Sequence, residues 1–83
     1  MPTYSSEQMI QAIAHHSTNL LCRTICEKII KGESSIEHEK TRNHGSFMVA
    51  VLDGNFNLAM CRADDSNKAA LMHCYKQNPN TQN

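Results

Sequence analysis

Two apolar segments separated by an Asp-Gly pair constrain the fold of this chain more than any other feature. The segments cover residues 47–52 and 56–61, and Asp53 and Gly54 lie between them. An Asp-Gly pair can take the positive φ angles that a two-residue hairpin turn needs. The pattern therefore predicts a β-hairpin, with either Asp53-Gly54 or Gly54-Asn55 as its turn.

The two faces of this hairpin differ less in polarity than the faces of an ordinary antiparallel sheet. Side chains alternate between faces along a strand, and both turn assignments leave the same residues on each side. The face predicted to pack on the core carries Phe47, Val49, Val51, Phe56, Leu58 and Met60. The opposite face carries Asn57 together with Met48, Ala50, Leu52, Ala59 and Cys61. Because a solvent-facing side is normally polar, we expect this second face to be covered by a partner, a second copy, the N-terminal helix or the C-terminal tail.

A long helix is predicted for residues 6–31. Ser5 is suited to the N-cap, Gln8 completes a capping box with it, and Gly32 is placed to end the helix in the left-handed conformation. The apolar stripe shifts around the helix near residues 17–19, so the helix is expected to be kinked there or broken in two. We favour one kinked helix.

The remaining segments complete an α+β domain of order α-β-β-β-α. Residues 36–41 are interpreted as an edge strand rather than a loop, which gives an antiparallel sheet of two or three strands. A C-terminal helix should begin at Asp64, Asp65 or Ser66 and end at Asn78, which precedes a proline. Residues 78–83 are predicted to form a flexible polar tail. With no repeat or linker, residues 1–83 are expected to be one small domain.

Charge and hydropathy argue against several functional classes. The chain has 8 Lys and Arg residues and 8 Asp and Glu residues, so its formal net charge is zero. No overall field therefore attracts it to nucleic acid or to an anionic membrane. No apolar run reaches the length of a membrane span, and the N-terminus lacks the pattern of a signal peptide. A soluble cytoplasmic protein is expected.

Four cysteines and five histidines raise the question of metal binding or thiol catalysis. Cys22 and Cys26 lie one helical turn apart among isoleucines, where buried free thiols are expected rather than zinc ligands. No local motif pairs a histidine with a thiol nucleophile, and so short a chain leaves little room for a substrate cleft. We expect no metal, no cofactor and no enzyme activity.

One resemblance suggests nucleic-acid binding. His44 precedes Phe47-x-Val49-x-Val51 and a tight turn, and Ser66-Asn67-Lys68-Ala69-Ala70 opens the last helix. Over about half of the chain, this order of elements resembles the double-stranded RNA-binding domain. The resemblance implies that His44 and Lys68 contact the RNA minor groove and its phosphates. Lys68 is a single lysine where that family carries a cluster, so weak phosphate binding is implied.

The favoured function is a small interaction or regulatory module that acts as a homodimer or on a protein partner, for example as an inhibitor of a larger protein machine. A self-complementary apolar patch suits a two-fold interface, and methionine suits adaptable contact surfaces. The expected contact surface is the second sheet face, formed by Met48, Ala50, Leu52, Ala59 and Cys61. The alternative is a nucleic-acid-binding domain that uses His44 and Lys68.

Overall fold

The computed structural model describes residues 3–77, and within them the chain forms seven helices and no strand. The helices are α1 (Ser6–His16), α2 (Leu20–Ile30), α3 (Ile36–Lys40), α4 (Ser46–Leu52), α5 (Phe56–Arg62), α6 (Asp65–Met72) and α7 (Cys74–Gln77). The predicted α+β class, with its antiparallel sheet, is therefore wrong. The predicted end of the last helix at Asn78 and the predicted tail 78–83 lie outside the described residues.

The predicted hairpin is a pair of short helices, α4 and α5. Gly54 has a φ of 76°, as a glycine at this position allows, whereas Asp53 has right-handed helical angles. The amide of Gly54 donates to the carbonyl of Val51 at 3.0 Å, and that of Asn55 donates to Ala50 at 2.9 Å. These two bonds form the Schellman arrangement that ends a helix. Asn55 then caps α5, so the Asp-Gly-Asn sequence separates two helices instead of two strands.

Apolar side chains on every side of residues 47–52 explain the error. A continuous apolar run is compatible with a buried strand or a buried helix, and alternation alone cannot separate them. Val49, predicted to be core, is 43% exposed, whereas Ala50 is fully buried. Of the other residues on the predicted core face, Phe47, Val51 and Phe56 are buried and Leu58 and Met60 are partly buried.

The segment predicted as one kinked N-terminal helix forms two helices, α1 and α2, so the preference for one helix is wrong. The two helices are separated at residues 17–19, the predicted position of the kink or break. Its ends are confirmed: both hydrogen bonds of the Ser5–Gln8 capping box are present, and Gly32 has a φ of 80°. Helix α2 packs against α1. The end of α2 lies beside the first half of α1, where Ile29 and Ile10 line a common groove. The two helices therefore form an antiparallel pair.

A polar junction holds this break against the start of α6. The Ser17 hydroxyl donates to the Asn67 side chain at 2.7 Å, and both residues are buried. The Thr18 amide donates to the Ser66 hydroxyl at 2.7 Å. The Asn19 side chain donates to Asp64 at 2.8 Å, and Asp64 is the N-cap of α6. The junction consists of Ser17, Thr18, Asn19, Asp64, Ser66 and Asn67.

The predicted edge strand at residues 36–41 is also wrong, because residues 36–40 form helix α3. The Ser35 hydroxyl accepts from the amide of His38 at 3.0 Å and so caps the helix. This cap favours a helix over an extended strand. Glu39 points inward from α3 and is only 5% exposed.

The core lies among α1, α2, α4, α5 and the α6–α7 segment. It includes the aromatic contacts of Tyr4 with Phe56 and Tyr75, at centroid distances of 4.8 and 5.6 Å. The Ser6 hydroxyl joins α1 to the end of α4 by donating to the Leu52 carbonyl at 3.0 Å. Among residues 3–77, no helix has the length and apolar character needed to cross a membrane.

Candidate functional site: a groove between α2 and α3

A groove with a volume of about 520 Å³ lies between α2 and the segment that begins with α3. Four residues of α2 form one wall, and their spacing of three and four residues places them on one face of the helix. The other wall comes from α3 and the loop that follows it. The lining residues are Leu21, Thr24, Ile25 and Lys28 of α2, Glu39 of α3, and Arg42, Asn43 and His44 of the loop.

The apolar part of the groove begins at the first turn of α2. Asn19 caps this helix and places Leu20 and Leu21 at its start, where they are 76% and 73% exposed. Leu21 lines the groove and Leu20 does not. Ile25 lies one turn further along the same wall and is buried. A partner side chain placed on Leu21 and Ile25 would remove exposed apolar surface from water.

The rim of the groove is positively charged. Lys28 and Arg42 have no ion-pair partner among the described residues, whereas the nearby Lys40 pairs with Asp53 at 3.6 Å. Arg42 lies near enough to Glu39 for its charge to help lower the pKa of that carboxyl, but it makes no direct ion pair with it.

Glu39 is the carboxylate that lines this groove, and its charge is satisfied inside the protein. It accepts from the Ser34 hydroxyl at 2.5 Å and pairs with Nε2 of His44 at 2.8 Å. The bond from Ser34 lowers the pKa of Glu39 against the opposing effect of burial, and His44 adds to the lowering. This pair fixes the loop that carries Arg42 onto α3.

The residues predicted to form a contact face lie elsewhere. Met48, Ala50, Leu52 and Ala59 belong to the buried core, with exposures of 4%, 0%, 3% and 0%. Cys61 is exposed on α5. Because there is no sheet in residues 3–77, the face that would have united them is not formed.

The two residues implied by the RNA-binding resemblance are also placed differently from each other. His44 lines the groove and is held by Glu39, with 14% of its side chain exposed. Lys68 is exposed on α6, a helix that contributes nothing to the lining of the groove. The three strands on which the resemblance depends are helices.

The cysteines are free thiols in the described part of the chain. Cys22 and Cys26 are buried, as predicted, and so is Cys74. Burial raises the pKa of Cys26 to about 12 and that of Cys74 to about 11. Among residues 3–77, no three His, Cys, Asp or Glu side chains are grouped so that they could hold a metal ion.

Two histidines form a second titratable cluster away from the groove. The rings of His16 and His73 stack at a centroid distance of 3.6 Å with an interplanar angle of 6°. Desolvation lowers the pKa of His16, and the neighbouring His73, His15 and Lys76 lower it further. This pair joins the end of α1 to the end of α6.

The sequence contains a signal for the exposure of Leu20 and Leu21, of which Leu21 lines the groove. Leu20 and Leu21 fall outside the stripe formed by Cys22, Ile25 and Cys26 once α2 is treated as a helix of its own. The convergence of Lys28 and Arg42 had no such signal, because they come from different elements.

Comparison of this chain with models of protein families, with curated protein sequences and with solved structures finds no match.

Proposed function

We propose that this chain is a small helical protein-binding module whose contact surface is the groove between α2 and α3. The observation that carries the proposal is the exposure of Leu21, which is 73% exposed and lines the groove beside two unpaired cations. Single exposed leucines are common on protein surfaces. Leu21 differs from them in that it lines a concave site together with the apolar side chain of Ile25.

The shape and lining of the groove suit a polypeptide segment. The wall on α2 extends over two helical turns, from Leu21 to Lys28. Helices and extended segments of partner proteins bind such grooves by inserting apolar side chains at regular spacing. A regulatory or inhibitory role would follow from occupying that segment of the partner.

A photo-crosslinking experiment tests this proposal. The amino acid p-benzoylphenylalanine would replace Leu21 in the full chain, expressed in the cells that produce the protein. The matched control places the same group at Met72, an apolar residue of α6 that is 48% exposed and does not line the groove. We expect an ultraviolet-dependent adduct with a second polypeptide from position 21 and none from position 72, identified by mass spectrometry. An absence of adduct at position 21, or equal adducts at both positions, would contradict the proposal.

A pair of neighbouring substitutions separates binding from stability. Leu20 and Leu21 differ by only a few per cent in exposure, but only Leu21 lines the groove. In a pull-down by the tagged chain, Leu21→Ser should reduce recovery of the partner found by crosslinking, whereas Leu20→Ser should leave it near the wild-type level. The thermal midpoints of both variants should stay close to that of the wild type, because neither side chain is buried.

A further inference from the structure

The charges around the groove restrict what it can bind. Its titratable lining groups are Lys28, Glu39, Arg42 and His44. Glu39 is buried and is satisfied by Ser34 and His44, so it offers little negative charge to an incoming segment. Lys28 and Arg42 are exposed and unpaired within the described residues. The lining therefore carries two exposed cations against one buried carboxylate, and the charge presented to an occupant is positive.

The apolar wall adds a second requirement. Leu21 and Ile25 lie one helical turn apart on the same wall, and Lys28 continues that face by one more turn. An occupant that fits this wall carries apolar side chains opposite Leu21 and Ile25 and a negative group opposite Lys28 or Arg42. Complementary charges of this kind select the partner and accelerate encounter more than they add affinity.

Two other occupants fit less well. A second copy of the chain, bound groove to groove about a two-fold axis, would bring a basic rim onto the same basic rim. Nucleic acid would find the cations, but the groove offers no Phe, Tyr or Trp for base stacking, and the side chain of His44 is 14% exposed and is held by Glu39.

We infer that the groove binds an acidic amphipathic segment of a partner protein, with its apolar side chains on Leu21 and Ile25 and its carboxylates facing Lys28 and Arg42. This inference rests on the proposed function and adds the chemistry of the partner to it.

Three labelled peptides would test the inference on the purified chain. Each peptide has about 15 residues, with leucines at positions i, i+3, i+4 and i+7 of a helix. The remaining charged positions are glutamate in the first peptide, glutamine in the second and lysine in the third. Fluorescence anisotropy would measure their dissociation constants at low and at raised salt. The variants are Arg42→Glu and, as a matched control, Arg62→Glu, which makes the same charge change on an exposed residue of α5 outside the groove.

We expect the glutamate peptide to bind about tenfold more tightly than the glutamine peptide, and the lysine peptide to bind least. Raised salt should bring the dissociation constants of the three peptides closer together, because it screens the charges. Arg42→Glu should weaken binding of the glutamate peptide by about tenfold, whereas Arg62→Glu should change it by less than about twofold. Equal binding of the glutamate and lysine peptides, or equal effects of the two substitutions, would overturn the inference.

Three further results distinguish failure of this inference from failure of the proposed function. Suppose that p-benzoylphenylalanine at position 21 crosslinks to a partner but the glutamate peptide binds no better than the others. The inference of an acidic partner segment is then wrong, and the proposed protein-binding function is kept. A dimer detected by light scattering and abolished by Leu21→Ser would overturn the inference in favour of a second copy. Binding of a labelled RNA duplex that is lost in Arg42→Glu would overturn it in favour of nucleic acid.

Discussion

At the scale of single residues, burial decides which thiols can react. Cys61 is exposed on α5, whereas the other three cysteines are in the interior. Desolvation disfavours the thiolate, which is the reactive form, and it raises the pKa of Cys22, Cys26 and Cys74. The four thiols of the chain therefore differ sharply in reactivity.

In a labelling experiment at about pH 8, native protein should incorporate one equivalent of iodoacetamide quickly, at Cys61. The other three thiols should react only on the timescale of unfolding, because each must be exposed before it ionises. Mass spectrometry of the time course measures both phases, and Cys61→Ser is the control that should remove the fast phase. Fast labelling of Cys26 in the folded protein would contradict its assignment to the core.

Asn67 is the residue of the polar junction whose loss should cost most. It is 2% exposed, accepts from the Ser17 hydroxyl at 2.7 Å, and places its amide 3.5 Å from the sulfur of Cys22. Asn67→Ala leaves buried polar groups without this partner and should lower the free energy of unfolding by about 1–3 kcal/mol. Urea denaturation measures the change. Lys68→Ala, an exposed neighbour on the same helix, should be close to neutral. A loss for Asn67→Ala as small as that for Lys68→Ala would mean that the Asn67 side chain does not stabilise the fold.

The stacked histidines predict that stability falls with acidification. Because His16 has a pKa below 6.5 in the folded protein, the unfolded chain binds more protons at this site. Its contribution to the free energy of unfolding is therefore complete above about pH 6.5 and is lost as the pH falls through the folded pKa. Desolvation is the largest cause of the lowered pKa of His16, and the neighbouring His73, His15 and Lys76 lower it further.

Thermal midpoints measured between about pH 7.5 and about pH 5.5 test this dependence. His16→Gln should decrease the loss on acidification, because it removes the group that resists protonation. His38→Gln, on the exposed surface of α3, is the control and should leave the loss nearly unchanged. A steeper loss in His16→Gln than in the wild type would reverse the sign and refute the prediction.

At the scale of the elements, short capping sequences divide the chain into helices. Gly32 and Gly54 both take positive φ angles at helix ends, which side chains other than glycine rarely adopt. They differ in their surroundings. A Cβ at Gly54 would lie 3.2 Å from the hydroxyl oxygen of Ser6, whereas a Cβ at Gly32 would meet no atom within 4 Å.

Both alanine substitutions should therefore destabilise the fold, and Gly54→Ala should do so more. Gly32→Ala is expected to cost about 1 kcal/mol from the backbone conformation alone. Gly54→Ala adds crowding against Ser6, whose hydroxyl also bonds the end of α4. Denaturant titration of the two variants gives the comparison. A smaller loss at Gly54 would show that the start of α1 relaxes without cost.

At the scale of the whole molecule, residues from α1, α2, α4, α5 and the α6–α7 segment share one core. This core includes Met48, Ala50, Leu52 and Ala59, for which the sequence pattern predicts a contact face. The predicted homodimer therefore needs another surface, and light scattering on the purified chain remains its direct test.

Ala50→Lys distinguishes the core from a contact face. Ala50 is fully buried in α4, so a lysine there introduces an unpaired buried charge. We expect the free energy of unfolding to fall by at least about 4 kcal/mol, with loss of helical circular dichroism if the native stability is exceeded. Ala69→Lys, on the exposed side of α6, should keep the native spectrum and a near-native midpoint. If Ala50→Lys instead stayed folded and had a lower oligomeric mass in solution than the wild type, the contact-face hypothesis would be restored.

The sequence by itself determined the features that depend on hydrogen bonds between residues close together in the chain. Local signals predict the Ser5–Gln8 capping box and the left-handed helix end at Gly32. They also predict a kink or a break at residues 17–19, and they leave Asp64, Asp65 and Ser66 as alternative N-caps, of which Asp64 is the cap in the structure. The caps are formed by groups only a few residues apart, whereas the break at residues 17–19 is also held by hydrogen bonds to the start of α6. The buried positions of Cys22 and Cys26 followed from the stripe of their own helix.

Only the tertiary structure decided between helix and strand for residues 47–52, and only it formed the groove. An apolar run gains free energy from burial in either conformation, so the outcome depends on whether neighbouring elements cover it on one side or on several. Here the core encloses α4 and leaves Val49 outside. Lys28 and Arg42 are separated in the chain and face the same groove because α2 and the loop after α3 lie beside each other, a relation set by packing between elements.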